Sequence, residues 1–123
     1  MIGVIVTGGR DFTNRLVVYA ALNSLHATYG VRQVVEGGAR GADALAREWA
    51  KERGIPCITC PANWEKHGQA AGMIRNIEML TDFPEHQIAA FPGGKGTAGM
   101  VREAEKRRRT ITHFPDDPRT KKN

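Results

Sequence analysis

The sequence predicts an α/β fold, a three-layer sandwich in which helices cover both faces of a mostly parallel five-stranded sheet. Two observations predict it. Short, nearly all-apolar runs alternate along the chain with longer segments that repeat apolar residues at helical spacing. The apolar runs lack a polar alternation, which is typical of strands buried on both faces of a parallel sheet. Strands separated by helices then imply right-handed β-α-β units.

The first elements follow directly from this pattern. Residues 2–7, "IGVIVT", form an apolar run that ends in Gly-Gly, as a buried parallel strand should. Residues 14–28 repeat apolar positions at helical spacing, with cap-forming polar residues at 11, 13 and 14 just before them. Residues 32–36, "RQVVE", predict a second strand, and residues 42–53 a helix that Gly54 closes.

The remaining elements repeat the alternation. Residues 56–60, "PCITC", predict a third strand, and a polar stretch too long for a tight turn then leads to a helix over 70–81. Residues 87–91 and 110–114 predict the last two strands, on either side of a helix over 97–109.

The length of 123 residues predicts one domain, over 1–114, followed by a flexible basic tail over 115–123 that holds two prolines and no apolar residue. No run approaches the roughly 18 apolar residues of a membrane span, and the first residues lack the basic region of a signal peptide. We therefore expect a cytoplasmic protein without a membrane partner.

Charge and cysteine content restrict the partners. The formal net charge is +5, with many of the cations in 102–110 and 119–123, and a basic balance suits anionic partners from nucleotides to nucleic acid. Cys57 and Cys60 have the spacing of half a zinc site, but the sequence has no second pair. They are interpreted as packed thiols, and neither a metal nor a cofactor is predicted.

Three glycine-rich steps follow predicted strands: "TGGRDF" at 7–12, "EGGARGAD" at 36–43 and "FPGGKGTAGM" at 91–100. The carboxyl ends of parallel strands meet at one edge of the sheet, where ligands bind. Glycine lets a ligand approach the backbone, and a helix N-terminus offers free N–H groups to an anion. Each step also holds a cation. These residues predict a site for a phosphate-bearing ligand: Gly8, Gly9, Arg10, Gly37, Gly38, Arg40, Gly41, Gly93, Gly94, Lys95 and Gly96.

Asn63 and Trp64 lie in the long third loop, which could close over a base, and Trp64 offers a stacking face.

Two common nucleotide-binding motifs do not match this sequence in full. Gly94, Gly96 and Gly99 match G-x-G-x-x-G, but after the fourth strand and with no acidic residue ending the next one. A Walker A loop fails because Gly96 stands where Ser or Thr is required.

Four segments in order, "TGGRDF", "VVEGGARGADALAREWA", "PANWEKHGQAAGMIRNIEML" and "AAFPGGKGTAGMV", resemble the SLOG superfamily, in particular its small stand-alone YspA-like members. The superfamily also includes the LOG phosphoribohydrolases and the DprA DNA-processing proteins. The resemblance covers about residues 3–114. It implies a Rossmann-like domain that binds nucleotides or nucleotide-derived molecules.

In LOG-type enzymes, an Arg in a segment like "MIRNIEM" and a Glu just after P-G-G-x-G-T form the catalytic pair. By resemblance the Arg is Arg75, with Asn76 beside it, and Pro92 to Thr97 would hold the phosphate. The glutamate positions hold Gly99 and Met100 here. N-glycosidic cleavage generally needs a placed carboxylate.

Glu36 and Asp43 are the candidates to replace that glutamate, because both belong to the second glycine step and are expected to face the same crevice. Asp11 is a further candidate, although the cap of the first helix explains it at least as well. Glu36 and Asp43 form the candidate catalytic set together with Arg75.

Three functions remain open at this point. The first is a module that binds a nucleotide or nucleotide-derived ligand as a sensor or for sequestration. The second is a nucleoside 5'-monophosphate phosphoribohydrolase. The third is single-stranded nucleic-acid binding in the manner of DprA, through residues 106–109 and the basic tail. Family relatives often self-associate, so a homo-oligomer is expected.

Overall fold

The computed structural model describes residues 1–115 and arranges five strands in one sheet. The strands are β1 (Ile2–Thr7), β2 (Val31–Glu36), β3 (Cys57–Thr59), β4 (Gln87–Ala90) and β5 (Ile111–His113). Their order is β3-β2-β1-β4-β5, and every pair among them is parallel. The α/β prediction of a Rossmann-like three-layer sandwich is confirmed.

The helices are α1 (Arg15–Tyr29), α2 (Ala42–Glu52), α3 (Trp64–His67), α4 (Ala71–Asp82) and α5 (Lys95–Lys106). From β1 the chain proceeds outward to β2 and β3, then returns to pair β4 with the other side of β1. The strand order therefore reverses between β1 and β4, and a parallel sheet opens a crevice at the carboxyl ends of two such strands.

Alternation along β1 sends its side chains into two cores. Val4 and Val6 pack with residues of α1 and α2 such as Leu22 and Trp49, whereas Ile5 packs with Leu80 of α4 and its neighbours. This follows because successive side chains of a strand point to opposite faces. The helices thus cover both faces of the sheet.

Two segments differ most from the sequence prediction, whereas the other elements begin and end within one residue of it. The loop before α4 contains the short helix α3 and a 3-10 turn over Gly68–Ala70. Helix α5 starts at residue 95 rather than 97 and ends at 106 rather than 109. It ends early because Arg108 adopts a left-handed φ of 55° and Arg109 turns back, its guanidinium donating to the carbonyl oxygens of Leu80 at 3.0 Å and His86 at 2.7 Å.

Of the predicted basic tail, residues 116–123 lie outside the described residues. Within residues 1–115, none of the helices has the length and apolar character needed to cross a membrane.

Candidate ligand-binding crevice

A crevice of about 1360 Å³ opens at the carboxyl edge of the sheet, between the loops that follow β1, β2 and β4. The sequence-predicted residues that line it are Gly8, Gly9, Arg10, Gly37, Gly38, Arg40, Asp43, Trp64, Arg75, Asn76, Pro92, Gly93, Gly94, Lys95, Gly96 and Thr97. The three glycine steps are therefore brought together. Glu36, Gly41 and Asn63 are not among the lining residues.

The loop after β1 holds the other two loops in place through the backbone of Gly9. Its N–H donates to the carbonyl oxygen of Pro92 at 2.8 Å, and its own carbonyl oxygen accepts from the N–H of Ala42 at 3.3 Å. A Cβ on Gly8 would lie 2.6 Å from the Cβ of Ala42. The glycine pair therefore allows three loops to pack against one another at the edge of the sheet.

The loop after β4 leads into an open helix N-terminus. Gly94 is the N-cap of α5, and no side chain caps the helix. A Cβ on Gly94 or on Gly96 would meet nothing within 4 Å, and neither residue has a left-handed φ. Packing and backbone conformation therefore do not require glycine at these two positions. Their effect is to leave the first-turn N–H groups of α5 accessible from the crevice, as an anion would require.

Gly93 has a different role from its two neighbours. A Cβ there would collide with the Thr97 side chain and lie 2.7 Å from the Gly9 nitrogen. Gly93 therefore lets the third loop close on the first, and its place is set by packing.

Arg75 and Asp43 both hydrogen-bond to the backbone of Gly37, in the loop after β2. The Nη1 of Arg75 donates to the carbonyl oxygen of Gly37 at 2.6 Å, while Oδ2 of Asp43 accepts from the Gly37 N–H at 3.1 Å. A Cβ on Gly37 would lie 2.7 Å from Cζ of Arg75 and 3.1 Å from Oδ2 of Asp43. Glycine at 37 is therefore needed for both side chains to approach the loop.

Arg75 is held by two further contacts. Its Nη1 also donates to the carbonyl oxygen of Cys60 at 3.2 Å, and its Nε donates to Oδ1 of Asn76 at 2.8 Å. The amide of Asn76 in turn donates to the carbonyl oxygen of Gly96 at 3.4 Å. The guanidinium is thus positioned beside the first turn of α5, and Nη2 makes no hydrogen bond to the described residues.

Asp43 has an unusual environment for a carboxylate. Only 6% of the residue is exposed, and burial, with a further contribution from the charge of Glu36, raises its pKa to about 6. Hydrogen bonds from the backbone of Ala39 and Gly37 and the charge of Arg75 oppose the rise. A crevice residue that exchanges a proton near neutral pH is a candidate functional group.

Glu36 does not face the crevice, contrary to the sequence prediction. The residue is fully buried. Oε1 accepts from the Gly38 N–H at 2.7 Å and from Arg47 at 2.9 Å, and Oε2 accepts from the Thr59 hydroxyl. Because neighbouring donors satisfy both oxygens, this carboxylate holds the second loop to α2 and β3 and is not available to a ligand.

Gly41 and Asn63 also have structural positions outside the crevice. Gly41 has a left-handed φ of 80°, and a Cβ there would lie 2.6 Å from the Arg10 carbonyl oxygen. Asn63 caps α3, because its side-chain oxygen accepts from the Lys66 N–H at 3.0 Å. The first is required by backbone conformation and the second by helix capping, so neither needs a ligand to explain it.

Three methionines line the crevice, and sequence reasoning did not predict them there. Met73, Met79 and Met100 join the exposed ring of Trp64 among the lining residues. Met100 is 1% exposed and stands at a position where LOG-type enzymes were expected to carry a glutamate. We call Trp64, Met73, Met79 and Met100 the apolar wall. Met79 is 2% exposed and also belongs to the core cluster that contains Leu80.

The cations of the three loops have different partners. Arg40 forms an exposed ion pair with Asp11 at 3.0 Å. Arg10 and Lys95 are exposed and form no ion pair with the described residues. Two charges at the crevice mouth are therefore available to an anionic ligand.

Comparison with known proteins decides the family. The model of YAcAr, the YspA, cpYpsA-related SLOG family, matches residues 2–67. The chain belongs to this SLOG family. The resemblance that the sequence motifs predicted is thereby confirmed.

Two further proteins show the extent of the likeness. The Gene 61 protein of Mycobacterium phage D29 is 40% identical over 124 residues, which is 94% of this chain and 98% of the relative. The X-ray structure of TM1055, a structural genomics target, superposes with a TM-score of 0.68 at 17% identity, over 91% of this chain and 73% of that one. At that identity, TM1055 supports the fold of the SLOG domain alone.

Proposed function

We propose that this SLOG domain binds a nucleotide or nucleotide-derived ligand through its phosphate, as a sensor or sequestering module. One observation carries the proposal. The N-terminus of α5 opens into the crevice without a side-chain cap, behind Gly94 and Gly96, where no neighbour lies within 4 Å of either added Cβ. A free helix N-terminus with bare glycines suits a phosphate, because its N–H groups and dipole both favour negative charge.

The charges around that N-terminus support the same ligand. Lys95 begins α5, Arg10 belongs to the adjoining loop, and Arg75 is held near Gly96 through Asn76. Arg10 can bind phosphate oxygens through paired N–H groups, and Arg75 can bind through Nη2, which makes no hydrogen bond to the described residues. A phosphate at this end of the crevice would therefore meet both backbone donors and cations.

Binding without turnover is favoured over hydrolysis by the placement of the carboxylates. Met100 occupies the expected position of a catalytic glutamate, and the carboxylate of Glu36 is fully buried and engaged by Gly38, Arg47 and Thr59. Cleavage of an N-glycosidic bond needs a carboxyl group that reaches the reacting atoms.

Asp43 supports a second candidate, a nucleoside 5'-monophosphate phosphoribohydrolase. It lines the crevice beside Arg75, and its raised pKa of about 6 suits general acid–base chemistry near neutral pH. If this function is correct, the protein releases free base from AMP, and Asp43→Asn abolishes the release.

Nucleic-acid binding through residues 106–109 has less support. Lys106 and Arg107 both pair with Glu103, at 3.1 Å and 3.0 Å, and Arg109 is engaged by backbone carbonyl oxygens. Helix α5 has 12 residues, so this segment lies about 18 Å from the crevice end of the helix. Its cations would not act together with the glycine loops.

The test is a thermal-shift screen against mononucleotides, ADP-ribose derivatives and cyclic dinucleotides, with base release followed by chromatography in the same samples. A ligand at about 100 times its Kd should stabilise the fold by roughly 2.7 kcal/mol. A shift without base release supports the binding module, and a shift with base release supports the hydrolase. If no phosphate compound shifts the transition, the proposal is wrong. Cytoplasmic location and self-association stay predictions from the sequence.

A further inference from the structure

The ring of Trp64 is an exposed aromatic surface inside the crevice. The residue is 60% exposed, although it lines the crevice. Its Cη2 atom lies 3.6 Å from the position of a Cβ on Gly72, so the ring lies over the start of α4. A large apolar ring held in a concave site is available to cover an apolar part of a ligand.

A chain of contacts connects this ring to the proposed phosphate end. Met73 follows Gly72 in α4, and its Cε contacts the surface of Gly99 in α5 closely enough that a Cβ there would collide with it. Gly99 lies three residues beyond Gly96 in the same helix, a rise of about 4.5 Å. The apolar wall therefore adjoins the open helix N-terminus, and the crevice is cationic and polar at one end and apolar at the other.

We infer that the apolar wall takes a nucleobase, which stacks on Trp64 and against Met73 while the phosphate lies at the N-terminus of α5. This inference rests on the proposed function and adds the chemical class of the ligand's other end. Every base presents a π-face to an indole, and thioether sulfur makes favourable contacts with aromatic rings. Sugar phosphates without a base would leave this wall exposed to water.

The test compares AMP, GMP, CMP, UMP and ADP-ribose with ribose 5-phosphate, which carries the phosphate and sugar but no base. Affinity is measured by calorimetry, and tryptophan emission is followed in parallel. Trp49 is fully buried, so quenching by a stacked base reports on Trp64. In the wild-type protein, we expect at least one nucleotide to quench emission and to bind more tightly than ribose 5-phosphate.

Two variants at one position separate stacking from folding. Trp64→Ala removes the ring, and we expect it to weaken nucleotide binding about 5- to 150-fold while leaving ribose 5-phosphate unchanged. Trp64→Phe keeps an aromatic face, so it should retain most of the affinity and lose the quenching. Since Trp64 is exposed, neither change removes core packing.

Each result decides one of the two proposals. If nucleotides and ribose 5-phosphate bind equally well and Trp64→Ala alters neither, base stacking is wrong and the phosphate site stands. If neither these six compounds nor the cyclic dinucleotides of the thermal-shift screen bind the wild-type protein, the proposed function is wrong and this inference falls with it.

Discussion

Replacing Gly94 with Asp tests the helix N-terminus directly. Gly94 is the N-cap of α5, and the space around its Cβ position is open. An N-cap aspartate accepts hydrogen bonds from the N–H groups of the first helical turn. The variant carboxylate would therefore occupy the donors that the proposed phosphate uses, and it would repel the phosphate charge.

Relative to the wild-type protein, Gly94→Asp should have a higher Tm without ligand and a lower Tm with ligand. In the ligand-free protein, the cap contributes a few tenths of a kcal/mol over glycine and the helix dipole about 0.3–1 kcal/mol. For 123 residues, 1 kcal/mol moves the midpoint by about 4 °C, so Gly94→Asp should raise the Tm by about 2–5 °C. Ligand at about 100 times its Kd should raise the wild-type Tm by about 10 °C. Most of that second rise should be absent in the variant.

The assay is scanning fluorimetry with the tightest nucleotide from the screen, and Gly94→Ala is the matched control. Alanine adds the same Cβ without charge, so its ligand response should stay within a few degrees of wild type. A full ligand shift in Gly94→Asp would refute the phosphate position. A ligand-free Tm lowered by many degrees in Gly94→Asp would instead show that the loop is not open.

The other predictions concern the two carboxylates of the second loop and one buried histidine. Folding raises the pKa of Asp43 to about 6 from 3.8, so its contribution to stability is lost as pH rises through about 6. Asp43→Asn should therefore be more stable than wild type at pH 7, by on the order of 3 kcal/mol, and equal stability in urea titrations would contradict the burial argument. Glu36→Gln should destabilise the fold by about 1–3 kcal/mol at pH 7, because the NH2 group of the amide would face donors that now bind a carboxylate oxygen. An unchanged urea midpoint would rule this out. Burial lowers the pKa of His86 below 6.5, and its Nδ1 has no hydrogen-bond partner within residues 1–115. The free energy of unfolding should consequently fall as pH drops below about 6.5, and it should fall less steeply in His86→Gln. If the wild-type protein and His86→Gln lose stability equally steeply, His86 is not the cause.

The order of strands and helices could be read from the sequence because buried parallel strands and amphipathic helices have strong, different periodicities. Short or glycine-rich elements were harder. Helix α3 has four residues, too few for a periodic signal. The feature of the sequence that indicates it is its N-cap residue, Asn63. The start of α5 was placed late because Gly94 and Gly96 have low helix propensity, and the same glycines open the proposed site.

The glycine loops could be predicted as one group because topology alone brings them to one edge. The direction of Glu36 was missed, although strand alternation carries that information. Val34 and Glu36 stand two residues apart in β2 and share a face, and Val34 belongs to the core beneath α1 and α2. Glu36 therefore points beneath α2, toward Arg47. Asp43 follows a turn and has no such alternation to indicate its direction.

The contrast between the two carboxylates bears on what the crevice is for. Glu36 is buried with a full set of donors, so its burial is compensated and stabilises the loop. Asp43 is nearly as buried, yet its carboxylate receives two backbone bonds through a single oxygen and its pKa rises. Keeping an ionised group there costs stability at neutral pH, and such costs concentrate at functional sites. Met100 stands in place of an acidic residue and Glu36 does not line the crevice, so Asp43 is the carboxylate of the proposed catalytic set that does. Whether Asp43→Asn removes ligand binding or base release therefore distinguishes a contact residue from an acid–base group.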